Sequence, residues 1–306
     1  MTTLGSRSPT RVGALLERSY ARCRQLTRAH GTTYYWSTRL LPRAQQPHVF
    51  ALYAFCRHAD DIVDAIDDTR VEDRARALGD LGERFEVDLA AGRSDDEVLA
   101  AVVDTALRYD IDPGCFRRFL RSMAMDLTTS SYETYDDLLV YMDGSAAVVG
   151  EMMLPILEPT DPAAVAPARD LGLAFQLTNF LRDVDEDLDR GRVYLPRADL
   201  THFGADPAAR AATPEWIELM RFEIDRTRGL YRSAEEGLEL LPPRSARCID
   251  SARRLYEGIL DKIEAAGYDV FAGRVRLSTA RKVASVAGSS VFPRRRSRGT
   301  TGSRKP

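Results

Sequence analysis

Helical spacing of apolar residues runs through almost all of the 306-residue chain, and it limits the fold more than any other feature. Apolar side chains recur three and four positions apart in residues 12–29, 48–66, 71–90, 135–154, 166–188, 216–240 and 246–266. Strand-like alternation is scarce. Helix-breaking residues lie between these segments, for example at Leu41-Pro42 and at Asp112-Pro113-Gly114. The pattern predicts an all-α protein of roughly ten helices.

The domain organisation follows from the absence of internal boundaries. A chain of this length can bury one large core with a cavity inside it. No Gly- or Ser-rich linker and no repeat of fixed period divides the helical segments. We therefore predict a single-domain helical bundle around a central cavity over residues 11–292. Residues 1–10 are expected to be a flexible segment, and residues 293–306 a basic, disordered tail. Asp143-Gly144 lies within helical spacing, which predicts a kinked helix there.

Charge and composition limit the partners. The formal net charge is −3, but the last fourteen residues hold six Arg or Lys and no acid, which leaves −9 for the rest. An acidic body argues against nucleic acid as a partner. The four cysteines include no CxxC pair, which fits a reducing cytoplasm. The most apolar stretch, residues 146–157, contains Glu151 and Pro155 and is too short to span a membrane. We predict a cytoplasmic protein whose basic tail is available for peripheral contact at the inner membrane face.

Two acidic clusters carry the strongest chemical signal. Each has a D-x-x-x-D core, Asp60 with Asp64 and Asp183 with Asp187. Residues four apart share one face of a helix, so each pair directs two carboxylates to one point. Like charges at this spacing destabilise a helix by ~0.2–0.5 kcal/mol per pair, a cost that a bound cation would offset. Oxygen ligands with little His or Cys favour Mg²⁺ or Mn²⁺, held together with substrate phosphate.

The alternative is that both clusters are solvated helix faces, as single Asp pairs usually are. Their apolar flanks, residues 52–66 and 171–181, argue instead for carboxylates at the rim of an apolar cavity. Other metal and nucleotide sites lack their motifs. The sequence has no Glu-x-x-His, no Gly-Lys, no Gly-x-Gly and no His-Glu-x-x-His. The remaining interpretation is a cavity within a helical bundle, with metal ions bound at the acidic clusters.

Five segments resemble the squalene and phytoene synthase family. Residues 176–196, from Gln176 to Pro196, resemble its second aspartate motif, and residues 53–64 resemble the first. The other three are residues 30–42, residues 141–150, and residues 267–271 followed by Arg274. Together they span nearly the whole chain outside the termini, in the family's order. The resemblance implies an isoprenoid-synthase-type bundle. One departure, Gly31-Thr32-Thr33 in place of a run richer in Ser and Lys, affects only the fine contacts there.

The resemblance also implies a set of site residues. The expected metal ligands or their close supports are Asp60, Asp64, Asn179, Asp183 and Asp187. The expected catalytic residues are Asp60, Asp64, Asp183, Asp187, Tyr53 and Tyr141. The expected substrate contacts are His30, Thr33, Arg57, Gln176, Asn179, Arg182, Arg192, Tyr194 and Arg274. Simpler roles stay open: Arg57 and Arg182 as helix ion pairs, Tyr53 and Tyr141 as core aromatics, and His30 as a helix-end or surface histidine.

The implied reaction is a Mg²⁺- or Mn²⁺-dependent head-to-head condensation of two prenyl diphosphates through a cyclopropylcarbinyl diphosphate. The motifs resemble the phytoene-forming branch most, which implies two C20 geranylgeranyl diphosphates, phytoene as product and no NADPH. Presqualene, dehydrosqualene or squalene synthesis from C15 farnesyl diphosphate is the nearest alternative. A terpene cyclase and a non-catalytic helical lipid-binding protein are more distant ones. The sequence identifies no terminal base, because the released diphosphate and a cavity tyrosine both qualify.

Overall fold

The computed structural model describes residues 11–64 and 69–273. These residues form thirteen α-helices: α1 (Arg11–His30), α2 (Thr32–Thr38), α3 (Gln46–Val63), α4 (Val71–Ala91), α5 (Leu99–Arg108), α6 (Pro113–Met125), α7 (Tyr135–Met142), α8 (Val148–Met153), α9 (Val165–Arg182), α10 (Val184–Asp189), α11 (Arg197–Phe203), α12 (Pro214–Glu236) and α13 (Pro243–Ala265). The same residues contain no strand, and one isolated bridge joins Ser131 to Val193. The all-α prediction is confirmed, with more helices than the rough ten expected. The two predicted terminal segments and Arg274 lie outside the described residues.

Local sequence sets the helix ends. The Asp112 side chain accepts a hydrogen bond from the Gly114 backbone N–H at the start of α6, next to a proline in its first turn. Thr134 and Asp137 form a capping box that begins α7. Gly92 ends α4 at a φ of 70°, a left-handed conformation that glycine adopts without steric cost. The break predicted at Asp112-Pro113-Gly114 is therefore the start of α6, and the one at Leu41-Pro42 lies between α2 and α3.

The described residues form two large apolar clusters and a smaller one around Tyr141, Phe180 and Tyr194. One involves α1 and α3 to α6 and includes the fully buried Phe55, Phe85 and Phe116. The other joins α9, α12 and α13 around Trp216 and Tyr231. Burying one such side chain stabilises the fold by ~1.5–3 kcal/mol. Helix α9 packs against α8, α12 and α13, so it connects the second cluster to the wall of the central cavity.

The predicted kinked helix over residues 135–154 is a helix with a π-helical turn. Helix α7 continues into the turn Asp143–Ala147 and then into α8. Within the described residues, Tyr135–Leu157 is the one helical stretch long and apolar enough to cross a membrane. It is longer than the sequence suggested, but half of it is buried inside the fold. A buried core helix passes the same test of length and composition.

Four charged side chains hold the π-helical turn in place. Arg118 on α6 donates to Asp143 at 2.7 Å and to Glu151 at 2.9 Å. Arg169 on α9 donates to the same two carboxylates, at 2.6 Å to Asp143. Charge-assisted hydrogen bonds of this kind are about twice as strong as neutral ones. These hydrogen bonds therefore connect α6, α8 and α9 to the π-helical turn.

One helix that was predicted to be continuous is interrupted in the structure. Residues 166–188 were expected to form a single helix, but α9 ends at Arg182 and α10 begins at Val184, with Asp183 between them. Five of the seven residues 183–189 are acidic, and their mutual repulsion weakens a helix. The break is slight, because the Asp187 N–H still donates to the Asp183 carbonyl at 2.9 Å. The two carboxylates therefore keep their one-turn spacing.

Candidate active site

A cavity of about 950 Å³ lies at the centre of the bundle. Buried apolar side chains form much of its wall: Val49, Leu157, Leu171, Leu238 and Ile259. The two acidic clusters also line it, with side chains that are partly exposed, Asp183 by 15% and Asp64 by 35%. The cavity is therefore an apolar chamber with an acidic opening.

The structure brings the predicted site residues to this one cavity. Those that line it are His30, Thr33, Tyr53, Arg57, Asp60, Asp64, Tyr141, Gln176, Asn179, Arg182, Asp183, Asp187, Arg192 and Tyr194. Arg274 lies outside the described residues. His30 is exposed at the end of α1, as the alternative of a surface histidine predicted, and its substrate contact stays a prediction.

The first cluster lies at the carboxyl-terminal end of α3. Asp60 is in its last turn, and Asp64 caps the helix, its N–H donating to the Asp60 carbonyl at 2.8 Å. Burial, followed by the nearby Asp64 carboxylate, raises the pKa of Asp60 to about 7. A bound cation would reverse this effect by favouring the ionised carboxylate.

The second cluster lies where α9 ends. Arg182 holds Asp183 through two hydrogen bonds, from Nε at 2.7 Å and from Nη2. Burial, followed by Asp183, raises the pKa of Asp187 to about 7. Both clusters thus contain a carboxylate whose charge is poorly solvated.

Two arginines connect the clusters. Arg192 donates to Asp64 Oδ1 at 3.0 Å and Arg190 to Asp64 Oδ2 at 3.3 Å. The Arg192 backbone N–H donates to the Asp187 carbonyl at 2.8 Å. The clusters, more than 100 residues apart in sequence, therefore face a common opening.

The donor set fits a magnesium ion that is shared with a phosphate. Asn179 lies one turn before Asp183, and its Oδ1 is buried with no hydrogen-bond partner in the described part of the chain. A hard cation would supply a partner for that oxygen. Among residues 11–64 and 69–273, no three Asp, Glu, His or Cys side chains form a ready-made metal site. Mg²⁺ commonly uses one or two carboxylates and takes its other ligands from water and phosphate.

The arginines Arg57 and Arg182 are ion-paired, as the simpler alternative predicted. Arg57 contacts Asp61 on the same helix, and its Nε is buried without a partner among the described residues. Arg182 contacts Asp183, and the two side chains are each 15% exposed. A guanidinium has five N–H donors, so these pairs leave donors for phosphate oxygens.

Aromatic rings crowd one side of the cavity. The ring centroid of Tyr34 lies 5.9 Å from that of Tyr53, 6.0 Å from Phe175 and 5.5 Å from Tyr256. All four residues line the cavity. The faces of such rings attract a cation. Only Tyr53 was predicted, because the others lie outside the motifs or in places where a core aromatic is the ordinary interpretation.

Sequence reasoning also missed Asp126. The Tyr141 hydroxyl donates to its Oδ2 at 2.6 Å, and the Tyr194 hydroxyl donates to its Oδ1 at 3.0 Å. Burial raises the pKa of Asp126. Tyr141 is therefore both a core aromatic with a satisfied hydroxyl and a cavity residue. No spacing signal marks Asp126, because it belongs to neither D-x-x-x-D pair.

Comparison with known proteins identifies the same family that the sequence motifs resemble. A family model described as squalene/phytoene synthase matches residues 27–281. The 15-cis-phytoene synthase of Synechococcus elongatus is 36% identical over 295 residues, 91% of this chain and 94% of that protein. A phytoene synthase of Arthrospira platensis is 37% identical over 297 residues, with the same shares.

Solved structures with a similar fold include a dehydrosqualene synthase in complex with a ligand. Its TM-score is 0.82 at 28% identity, over 90% of this chain and 96% of the other. The squalene synthase HpnC from Alicyclobacillus acidocaldarius has a TM-score of 0.76 at 32% identity, over 84% of this chain and 97% of the other.

Proposed function

The chain belongs to the squalene/phytoene synthase family, and from that premise we propose that it condenses two geranylgeranyl diphosphates head to head to 15-cis-phytoene with release of diphosphate. One observation carries the proposal: two acidic clusters and their arginines lie at the opening of a large apolar cavity. Membership of this family identifies the chain as a prenyltransferase. Its similarity to proteins named phytoene synthase supports the C20 substrate.

The diphosphate groups belong at the acidic opening. Asp60, Asp64, Asn179, Asp183 and Asp187 would hold Mg²⁺ or Mn²⁺, which would neutralise the charge of the leaving diphosphate. Arg57, Arg182 and Arg192 have planar guanidinium groups that suit phosphate oxygens. Tyr194, Gln176, Thr33 and His30 would add polar contacts around the same groups. Ionisation of the allylic C–O bond becomes feasible once that charge is neutralised.

The hydrocarbon steps belong in the apolar chamber. The first allylic cation is attacked by the C2=C3 double bond of the second substrate, and loss of a proton closes the cyclopropane ring. A second C–O ionisation opens that ring, and loss of another proton leaves the central double bond of phytoene. The apolar wall would exclude water, and the aromatic residues Tyr34, Tyr53, Phe175 and Tyr256 in that wall would stabilise the cation.

Synthesis of a C30 product is the second candidate. It is favoured by the similarity of fold to a dehydrosqualene synthase and a squalene synthase. The deciding test gives the purified chain geranylgeranyl diphosphate and Mg²⁺ without NADPH. We expect a C40 hydrocarbon and two diphosphates for each hydrocarbon formed, and no reaction in EDTA. Failure to release diphosphate from either a C20 or a C15 substrate would rule out the proposed activity.

We also propose a cytoplasmic enzyme that contacts anionic lipid through residues 294–305, which contain six Arg or Lys. Each basic residue near such a surface contributes about 1 kcal/mol, and the proposed product is insoluble in water. Truncation after Phe292 should reduce binding to anionic vesicles at low salt and leave turnover in detergent unchanged. Unaltered vesicle binding would reject this role.

A further inference from the structure

Asp126 is a cavity carboxylate bonded to two phenols. It caps the end of α6 and lines the cavity together with Tyr141 and Tyr194. Tyr141 donates to one carboxylate oxygen at 2.6 Å and Tyr194 to the other at 3.0 Å. Arg192 donates to the Asp126 backbone carbonyl at 3.2 Å, which fixes the backbone next to the opening. This arrangement orients both hydroxyl protons toward Asp126.

The orientation of the hydroxyl proton determines what Tyr141 can do. A phenol that donates its only proton to a carboxylate keeps its oxygen lone pairs free to accept another. Burial raises the pKa of Tyr141 well above its ordinary value, so the residue stays protonated. It can therefore take up a proton only by passing its own to Asp126. Burial also raises the pKa of Asp126, which makes this carboxylate a better proton acceptor than an exposed one.

We propose that Tyr141 and Asp126 form the proton relay that ends the reaction, an assignment that rests on the proposed function. The C–H bond beside the final cation breaks, and its electron pair forms the central C=C bond. The proton goes to the Tyr141 oxygen, and the Tyr141 hydroxyl proton moves to Oδ2 of Asp126. Asp126 then returns its proton to the released diphosphate or to solvent at the opening. Tyr194 holds the second carboxylate oxygen and so positions Asp126.

The other acidic residues of the described cavity wall are less suited to this step. Asp60, Asp64, Asp183, Glu186 and Asp187 lie at the end proposed to bind metal and diphosphate, where bound cations would keep them ionised. Asp126 is instead hydrogen-bonded through its carboxylate to phenols that themselves line the chamber. It thus connects the chamber in which the cation forms to a carboxylate near the opening, whose two oxygens are each held by a phenol.

The test separates the two halves of the reaction. Asp126→Asn keeps an oxygen that can accept a hydrogen bond but cannot take a proton. Starting from isolated cyclopropylcarbinyl diphosphate, we expect C40 formation to fall about 100-fold or more in this variant and in Tyr141→Phe, the range usual for loss of general-base catalysis. Formation of the cyclopropylcarbinyl diphosphate from the C20 substrate should fall far less. With deuterium at the carbon that loses the proton, the kinetic isotope effect on C40 formation should rise in Asp126→Asn.

Tyr132→Phe is the matched control. The Tyr132 ring lies 5.5 Å from that of Tyr141, and its buried hydroxyl has no hydrogen-bond partner in the described residues. Its loss should leave both half-reactions and the isotope effect unchanged. Equal slowing of both halves in Asp126→Asn, or an unchanged isotope effect, would overturn the relay and leave the condensation standing. A wild-type chain that makes neither cyclopropylcarbinyl diphosphate nor C40 hydrocarbon would overturn the proposed function itself.

Discussion

Asp60 and Asp183 occupy equivalent positions one helical turn before a second aspartate. The N–H of Asp64 donates to the Asp60 carbonyl, and that of Asp187 donates to the Asp183 carbonyl. A helix carries partial negative charge at its carboxyl-terminal end, which disfavours Asp60 and Asp64 at the end of α3 and Asp183 at the end of α9. Two such pairs at one opening are costly for stability alone. The proposed metal site would account for this cost, as function gained at the expense of stability.

Removing one carboxylate from either pair should therefore separate activity from stability. We expect Asp60→Asn and Asp183→Asn each to lower turnover by orders of magnitude at saturating Mg²⁺, because the diphosphate loses a metal contact. The melting temperature of Asp60→Asn should not fall, since a poorly solvated charge is removed. Asp185→Asn is the control, because Asp185 pairs with Arg210 and does not line the cavity. Near-normal activity in either site variant would reject that cluster as a metal site.

Glu223 predicts how stability depends on pH. This side chain is 1% exposed, and Arg226 Nη1 donates both to it and to Asp199. Burial is the main reason that the pKa of Glu223 is raised to about 8. Between pH values of about 4.3 and 8, Glu223 therefore keeps its proton in the folded state and has lost it in the unfolded state. Its stabilising effect is complete below an unfolded pKa of about 4.3 and disappears as pH rises through 8.

We expect the free energy of unfolding to decrease between pH 6 and pH 8 by up to about 1.4 kcal/mol per pH unit from this one proton. Glu223→Gln should flatten the slope, because the amide does not titrate. The exposed Glu218→Gln on the same helix is the control and should leave the slope unchanged. Denaturant titrations at several pH values measure it. An identical slope in wild type and Glu223→Gln would show that Glu223 is ionised throughout.

At the scale of helices, close packing depends on single glycines. A Cβ at Gly172 on α9 would lie 2.3 Å from the Ala146 carbonyl oxygen in the π-helical turn. A Cβ at Gly150 on α8 would lie 2.2 Å from the Ala168 carbonyl oxygen. Real Cβ atoms do not approach backbone so closely, so α9 can pack against this wall only with glycine at these positions. These two glycines therefore determine how closely the helices of the cavity wall approach each other.

Gly172→Ala should force the two backbones apart and destabilise the protein by about 1–3 kcal/mol, the usual cost of overpacking. Gly79→Ala is the matched control, because nothing lies within 4 Å of a Cβ at that position in α4. It should stabilise the protein by about 0.5–1 kcal/mol through its helix propensity. Thermal unfolding of both variants measures the contrast. A stabilising Gly172→Ala would contradict the observed packing.

The sequence predicts helices well and tertiary partners poorly. Apolar spacing and proline positions located the helix ends, since both act through neighbouring residues. Spacing could not distinguish Gly79 from Gly172, because their difference lies in what packs against them. It also missed the break at Asp183, where charge repulsion interrupts an otherwise helical pattern.

The site shows the same division between local and distant signals. The two D-x-x-x-D pairs were visible because four-residue spacing is local. Asp126 was not, because its phenolic partners are 15 and 68 residues away in sequence. Its place in the cavity depends on how α6, α7 and the segment before α11 meet.

At the scale of the whole molecule, the opening joins residues from the two halves of the chain. Arg190 and Arg192 pair with Asp64, which is 126 and 128 residues away. The apolar chamber behind them determines which hydrocarbon chain fits. A C20 substrate has five more carbons to bury than a C15 substrate, worth ~4 kcal/mol at ~0.8 kcal/mol for each buried carbon. A chamber deep enough for C20 should therefore discriminate strongly between them.

The hydrocarbon formed from an equal mixture of C15 and C20 diphosphates tests this account most directly. The measurement uses the purified chain with Mg²⁺, with and without NADPH, and identifies the product by its mass and spectrum. We expect a C40 hydrocarbon to dominate, with a rate and identity that NADPH does not change. A C30 hydrocarbon, or a product that becomes squalene only when NADPH is added, would contradict it.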